Sequence, residues 1–182
     1  MRERHPHQGL SDASLELLKE RAIDLAKIDE ASATGYGAEN DGKTYLVFRY
    51  LDERYGIPVS LVSEVVPLSK VLAIPGAPSH VVGLTRLRGK ILALVNLRSF
   101  FRKNLSGYAD ADLAVVTEIE GRLFGIVCSK VESLVTVDVQ DTEDVPDSFN
   151  ERVRRTMVGF TDRDIMLLDA QRLIDEEGFV IR

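Results

Sequence analysis

The chain has 182 residues, 45% of them hydrophobic, which is enough for one ordinary domain or two small subdomains sharing a boundary. Its 29 acidic and 23 basic residues give a net charge of −6, which argues against a general polyanion binder because any positive field is only local. The single cysteine, Cys128, excludes an internal disulfide and fits a reducing compartment.

Residues 1–14 are polar and hold two histidines and a proline, unlike a signal peptide. No apolar run approaches the roughly 20 residues of a membrane span. A soluble, cytoplasmic protein without membrane insertion is expected. After a tail at 1–10, Ser11 or Asp12 can act as an N-cap, and Leu15, Leu18, Ala22 and Leu25 then recur at helical spacing. This predicts an amphipathic helix whose apolar stripe packs on its own domain or on a partner. Residues 31–43, rich in glycine and small polar residues, read as a linker.

From Lys43 the pattern becomes β. "TYLVFRY", the turn "LDER" and "YGIPV" predict a hairpin. Three more follow: one turning near Arg88-Gly89-Lys90, one spanning 112–131 about Glu120-Gly121-Arg122, and one turning near Asp162-Arg163. Helical segments are short, about Arg98–Lys103 and Gln171–Glu177.

The hairpins repeat. Tyr55-Gly56-Ile57 matches Phe124-Gly125-Ile126, and Val62-x-x-Val65-Val66 matches Val131-x-x-Leu134-Val135, both 69 residues apart (124 − 55, 131 − 62). Val82-Gly83-Leu84-Thr85 matches Val158-Gly159-Phe160-Thr161 at a distance of 76 (158 − 82), which places an insertion of seven residues in the acidic loop 138–150. Each copy closes with an apolar strand and a short helix. Two copies of a β unit imply two small barrels with separate interiors and a groove between them.

A converging reactive set is missing. Cys128 alternates into a strand as a small hydrophobe, and His5, His7 and His80 offer it no base. The histidines lack metal-ligand spacing, and no phosphate-binding glycine motif occurs. Asp141, Glu143, Asp144 and Asp147 read as a solvated loop. No catalytic residue, metal or cofactor is expected.

One stretch stands out. "GLTRLRGKILALVNLRSFF" (83–101) carries Arg86, Arg88, Lys90 and Arg98 and no acidic residue. Nucleic acid, an acidic substrate or another protein could each answer to it. A nucleic-acid barrel using Arg86, Arg88, Lys90, Arg98, Arg102 and Lys103 would want aromatic platforms among these charges. Phe100 and Phe101 instead follow the strand on a short helix, where packing is their use, and the chain has no tryptophan.

The segment from Tyr45 to Phe101 resembles the CheW family of chemotaxis coupling proteins. The likeness rests on the Tyr-Gly-Ile strand, Val62-x-Glu64, the Pro75-x-x-Pro78 loop, Val82-Gly83, Leu87-Arg88-Gly89 and Asn96-Leu97-Arg98. It continues through Phe124-Gly125-Ile126-Val127 and Val158-Gly159-Phe160 to Leu173 and covers about 43–176. Residues 1–42 then precede the domain as tail, helix and linker, and 177–182 follow it as a tail. Two departures stand out: the family usually has asparagine where this chain has Arg86, and aspartate where it has Asn96.

The resemblance implies a mainly β fold of two intertwined five-stranded SH3-like barrels, with an N-terminal helix and short connecting helices. It also implies a non-catalytic adaptor that holds the regulatory domain of a CheA-type histidine kinase beside the cytoplasmic tip of a chemoreceptor, recruited to arrays at the inner face of the membrane. A related adaptor role in surface motility or development is the alternative. The partner-binding residues implied are Val62, Glu64, Gly83, Arg86, Arg88 and Arg98. Arg88 and Glu64 are expected to pair beside the inter-barrel groove, with Val62 as the apolar contact. No nucleic acid is expected, and the chain alone is expected to be a monomer.

Overall fold

The computed structural model describes residues 42–102 and 110–179. The expected N-terminal helix and its linker up to residue 41 lie outside the described residues, as does Lys103, while Lys43 at the linker's end already belongs to a strand.

Four hairpins form where turn chemistry interrupts alternating apolar residues. β1 (Lys43–Tyr50) pairs with β2 (Glu53–Pro58), β4 (Val81–Leu87) with β5 (Lys90–Val95), β6 (Leu113–Ile119) with β7 (Arg122–Cys128), and β9 (Met157–Phe160) with β10 (Ile165–Leu168). The turn residues Arg88-Gly89 and Glu120-Gly121 all take positive φ (47°, 85°, 51° and 73°), the two-residue turn geometry that matches strand twist. β3 (Val62–Pro67) and β8 (Lys130–Val137) complete the strands. Short helices α1 (Leu97–Phe101) and α3 (Ala170–Asp175) start on Asn96 and Asp169, whose side chains accept from the Ser99 and Arg172 amides. A third helix, α2 (Glu151–Thr156), is capped by Asn150.

The strands form two five-stranded sheets, ordered β8-β1-β2-β10-β9 and β3-β6-β7-β5-β4. Numbered within its own copy of the repeat, each sheet reads third, first, second, fifth, fourth. The first two strands of each copy sit with the last three of the other, joined by the parallel pairs β10–β2 and β5–β7. The basic β4–β5 hairpin therefore belongs to a barrel built from both halves of the chain.

Each sheet curls around its own core. Tyr45, Val47, Ile165 and Leu167 fill the β1–β2 barrel. Leu92, Leu94, Ala114 and Val116, with Val82 and Val127, fill the β4–β5 barrel. The equivalent glycines allow close approach in both: a Cβ on Gly56 would meet Leu167 Cδ2 at 2.8 Å, and one on Gly125 would meet Leu94 Cδ2 at 2.8 Å. An aromatic row links the barrels, running from Tyr55 through Phe101, Phe100 and Phe179 to Phe124 with centroid separations of 4.9–6.2 Å.

Phe179, two residues past the start of the expected C-terminal tail, is fully buried in this row. The acidic loop is solvated as expected, with Asp141, Glu143, Asp144 and Asp147 all exposed, and it also makes a bridge. Glu143 bridges Phe160 as Leu72 bridges Leu84, and five of the seven extra residues lie beyond that bridge, where α2 forms.

Candidate functional site: an ion pair across the β4–β5 barrel

β3 and β4 are the two edge strands of their sheet. A bulge at Ser63 sets Glu64 opposite Val116 after Val62 has paired with Thr117. The β4–β5 hairpin reaches back toward this edge, and Arg88 Nη2 donates to Glu64 Oε2 at 3.0 Å. The pair expected from the sequence forms. Its members differ in exposure: the Arg88 side chain is 77% exposed and that of Glu64 17%. A half-held guanidinium of this kind keeps donors free in their fork for a second acceptor. Val62, half-buried, lies two residues from Glu64 on the same strand.

The repeat shows what is special here. Leu84 matches Phe160 at 76 residues, but Leu94 matches Leu167 at 73, so the β9–β10 hairpin is three residues shorter and its strands end before they reach this far. The position equivalent to Glu64 is Ser133 (64 + 69). Neither half of the ion pair has a counterpart in the other barrel. The positive φ of Arg88 is no such mark, because Glu120 shares it at the matching turn type.

Arg86 is exposed on β4, opposite Ile91. Gly83 is buried at φ +148°, and a Cβ there would stand 2.4 Å from the Leu72 carbonyl oxygen. It shapes the Leu72–Leu84 bridge and presents no contact surface of its own. Arg98 belongs to a separate network. Its side chain is only 17% exposed, with Nη1 donating to Asp52 Oδ1 at 2.7 Å and Nε 3.8 Å from Glu53. Arg102 also reaches Glu53 at 2.7 Å, and Tyr55 Oη donates to it at 2.5 Å. Burial first, then the neighbouring Glu53 carboxylate, holds the Tyr55 phenol well above its ordinary pKa. Asn96, where the family usually has aspartate, is buried and still caps Ser99, so the cap survives without burying a carboxylate.

Among the described residues, Cys128 and His80 are the two whose side chains could suggest nucleophilic chemistry, and both are buried. Cys128 is fully buried and its thiol is pushed up to about 12 by burial. His80 is buried against Phe100 and Phe179, with Nε2 3.1 Å from the Phe179 carbonyl oxygen. Burial lowers its pKa, so the neutral ring is favoured. Among the described residues no group of His, Cys, Asp and Glu could hold a metal ion, and no helix is long and apolar enough to cross a membrane.

Paired intertwined SH3-like barrels, with an asymmetric ion pair on one of them, define a class of protein-binding scaffold. The CheW-like domain model matches residues 44–178, and the chain belongs to that family. The Chemotaxis protein CheW of Klebsiella aerogenes is 25% identical over 154 residues, 83% of this chain and 93% of that protein. Its namesake from Treponema pallidum is 30% identical over 114 residues, 60% of this chain and 67% of that protein. The crystal structure of scaffolding protein TtCheW from Thermoanaerobacter tengcongensis matches with a TM-score of 0.60 at 23% identity, covering 75% of this chain and 90% of that one, and shares the fold.

Proposed function

We propose that this protein is a non-catalytic adaptor that couples chemoreceptors to a CheA-type histidine kinase in chemotaxis signalling. Family membership across 44–178 supports the role, as do relatives named for chemotaxis over nearly their full length. The observation that carries the site is the Arg88–Glu64 pair, built from residues that only one of the two barrels possesses. Glu64 orients the guanidinium, the exposed face of Arg88 takes a carboxylate or backbone carbonyl of the partner, and Val62 and Arg86 flank it. Gly83 and Arg98 act from behind, by fixing the backbone and tying α1 to the β1–β2 turn. The protein works in the cytoplasm, drawn to receptor arrays at the membrane.

Titration calorimetry with the kinase regulatory domain tests the partner. Binding of micromolar strength is expected, and the absence of binding to any cognate regulatory domain would refute the reading. Salt-sensitive binding to single-stranded oligonucleotides at comparable strength would favour a nucleic-acid barrel instead.

A further inference from the structure

His80 matches Thr156 in the repeat (80 + 76), and their backbones do the same work. The Asn96 amide donates to the His80 carbonyl at 2.8 Å, and the Asp169 amide to the Thr156 carbonyl at 3.0 Å. The side chains differ. Thr156 donates its hydroxyl to the Arg152 carbonyl of its own helix at 2.8 Å. The His80 ring is buried, edge-on to Phe100 at 5.0 Å and parallel to Phe179 at 6.4 Å, with Nε2 3.1 Å from the Phe179 carbonyl oxygen. That carbonyl belongs to residues 176–179, which follow α3, turn at Gly178 (φ +80°) and seat Phe179 against Phe100 and Phe124. Arg152 fastens the start of this segment, 3.4 Å from Glu176, with its guanidinium 4.7 Å from the centre of the Phe100 ring. A titratable ring thus holds the segment that fills the row between the barrels. The charged groups on the elements around it are Arg152 on α2, Glu176 and Glu177 after α3, and Arg98 and Arg102 on α1. The last two are engaged by Asp52 and Glu53, and Arg152 is the cation whose charge weighs on the ring.

We propose that His80 is a proton-operated latch: its neutral ring holds residues 176–179 closed on the aromatic row, and protonation releases them. An imidazolium here would lose its water among apolar rings and meet Arg152, whereas in the open form it is solvated. Burial lowers the pKa of the closed ring, so the open form, with an ordinary value of about 6.5, takes the proton first. The latch is fully closed-stable above about pH 6.5 and weakens as pH falls below it. Opening also reshapes the surface, because Glu176, Glu177 and Gly178 wall a groove of about 1020 Å³ against the 74–78 loop. This goes beyond the adaptor role and does not depend on it.

Amide hydrogen exchange of the full chain, read by NMR at about pH 7.5 and about pH 5.5 with intrinsic rates divided out, tests it. The reporters are Glu176 and Phe179, whose amides donate to the Arg172 and Glu176 carbonyls at 3.0 and 3.1 Å. Their opening should rise by up to about tenfold at the lower pH, while amides in β1 keep their protection. His80→Phe keeps a ring in the row and removes the proton site, so it should abolish this pH dependence. In the wild-type chain the His80 ring, followed by its own proton shifts, should titrate below the ordinary histidine value, which decides the matter if the variant fails to fold. Equal protection at both pH values, a pH dependence that persists in His80→Phe, or a wild-type ring that titrates at or above about 6.5 would each overturn the proposal.

Discussion

Glu132 shows how a single residue on β8 ties strands from the two copies together. Its carboxylate accepts from Arg49 Nε at 2.6 Å and Arg54 Nε at 2.8 Å, one on each strand of the first hairpin. Burial pushes the Glu132 pKa up, yet the two arginine hydrogen bonds outweigh it and the net value lies below the usual carboxylate range. A depressed acid contributes stability that is complete above the ordinary carboxylate pKa of about 4.3 and is lost as pH falls through the lower folded value. Glu132→Gln should therefore cost about 1 kcal/mol at pH 7, given the partial exposure of Arg49. The loss should shrink below pH 4, as read by urea denaturation. Arg98 marks the limit of the sequence at this scale. Its place in a basic stretch reads as surface charge, and nothing local shows that Asp52 and Glu53, some 45 residues earlier (98 − 53), will half-bury and neutralise it.

Elements were legible where a local rule decides them. Arg88-Gly89 and Glu120-Gly121 between alternating apolar residues specify hairpins, and the hairpins form there. Helix α2 escaped because, unlike α1 and α3, it does not follow an apolar strand that closes a copy of the repeat, and the acidic run before it looks like loop; its one signal is Asn150, which caps Val153. Matching glycines were legible as a repeat, and their reason emerges only in three dimensions. Gly83 and Gly159 let the bridges at Leu72 and Glu143 close, with hypothetical Cβ contacts of 2.4 and 2.6 Å to carbonyl oxygens. Gly83→Ala combines that clash with a φ of +148° and should destabilise by about 2–4 kcal/mol. Gly159→Ala should cost less, since it carries the clash without the positive φ. Thermal melts of the pair would rank them.

At the scale of the whole molecule, the repeat revealed two units but not their exchange. Pairing between β5 and β7, and between β10 and β2, is long-range, and no local pattern encodes which copy completes which barrel; the family resemblance supplied it. The barrel cores draw on residues from Tyr45 onward. A chain lacking residues 1–40 should accordingly keep a cooperative melt within a few degrees of the full protein, and melting as an unfolded chain would make the N-terminal segment part of the domain. The asymmetric Arg88–Glu64 pair is the coupling surface we propose. Reconstituting receptor, kinase and this protein, with Arg88→Ala in place of the native chain, tests it most directly. The variant should fold within about 1 kcal/mol of wild type, because the Arg88 side chain is largely exposed, yet fail to bring the kinase under receptor control. A variant that couples receptor to kinase as the native protein does would contradict it.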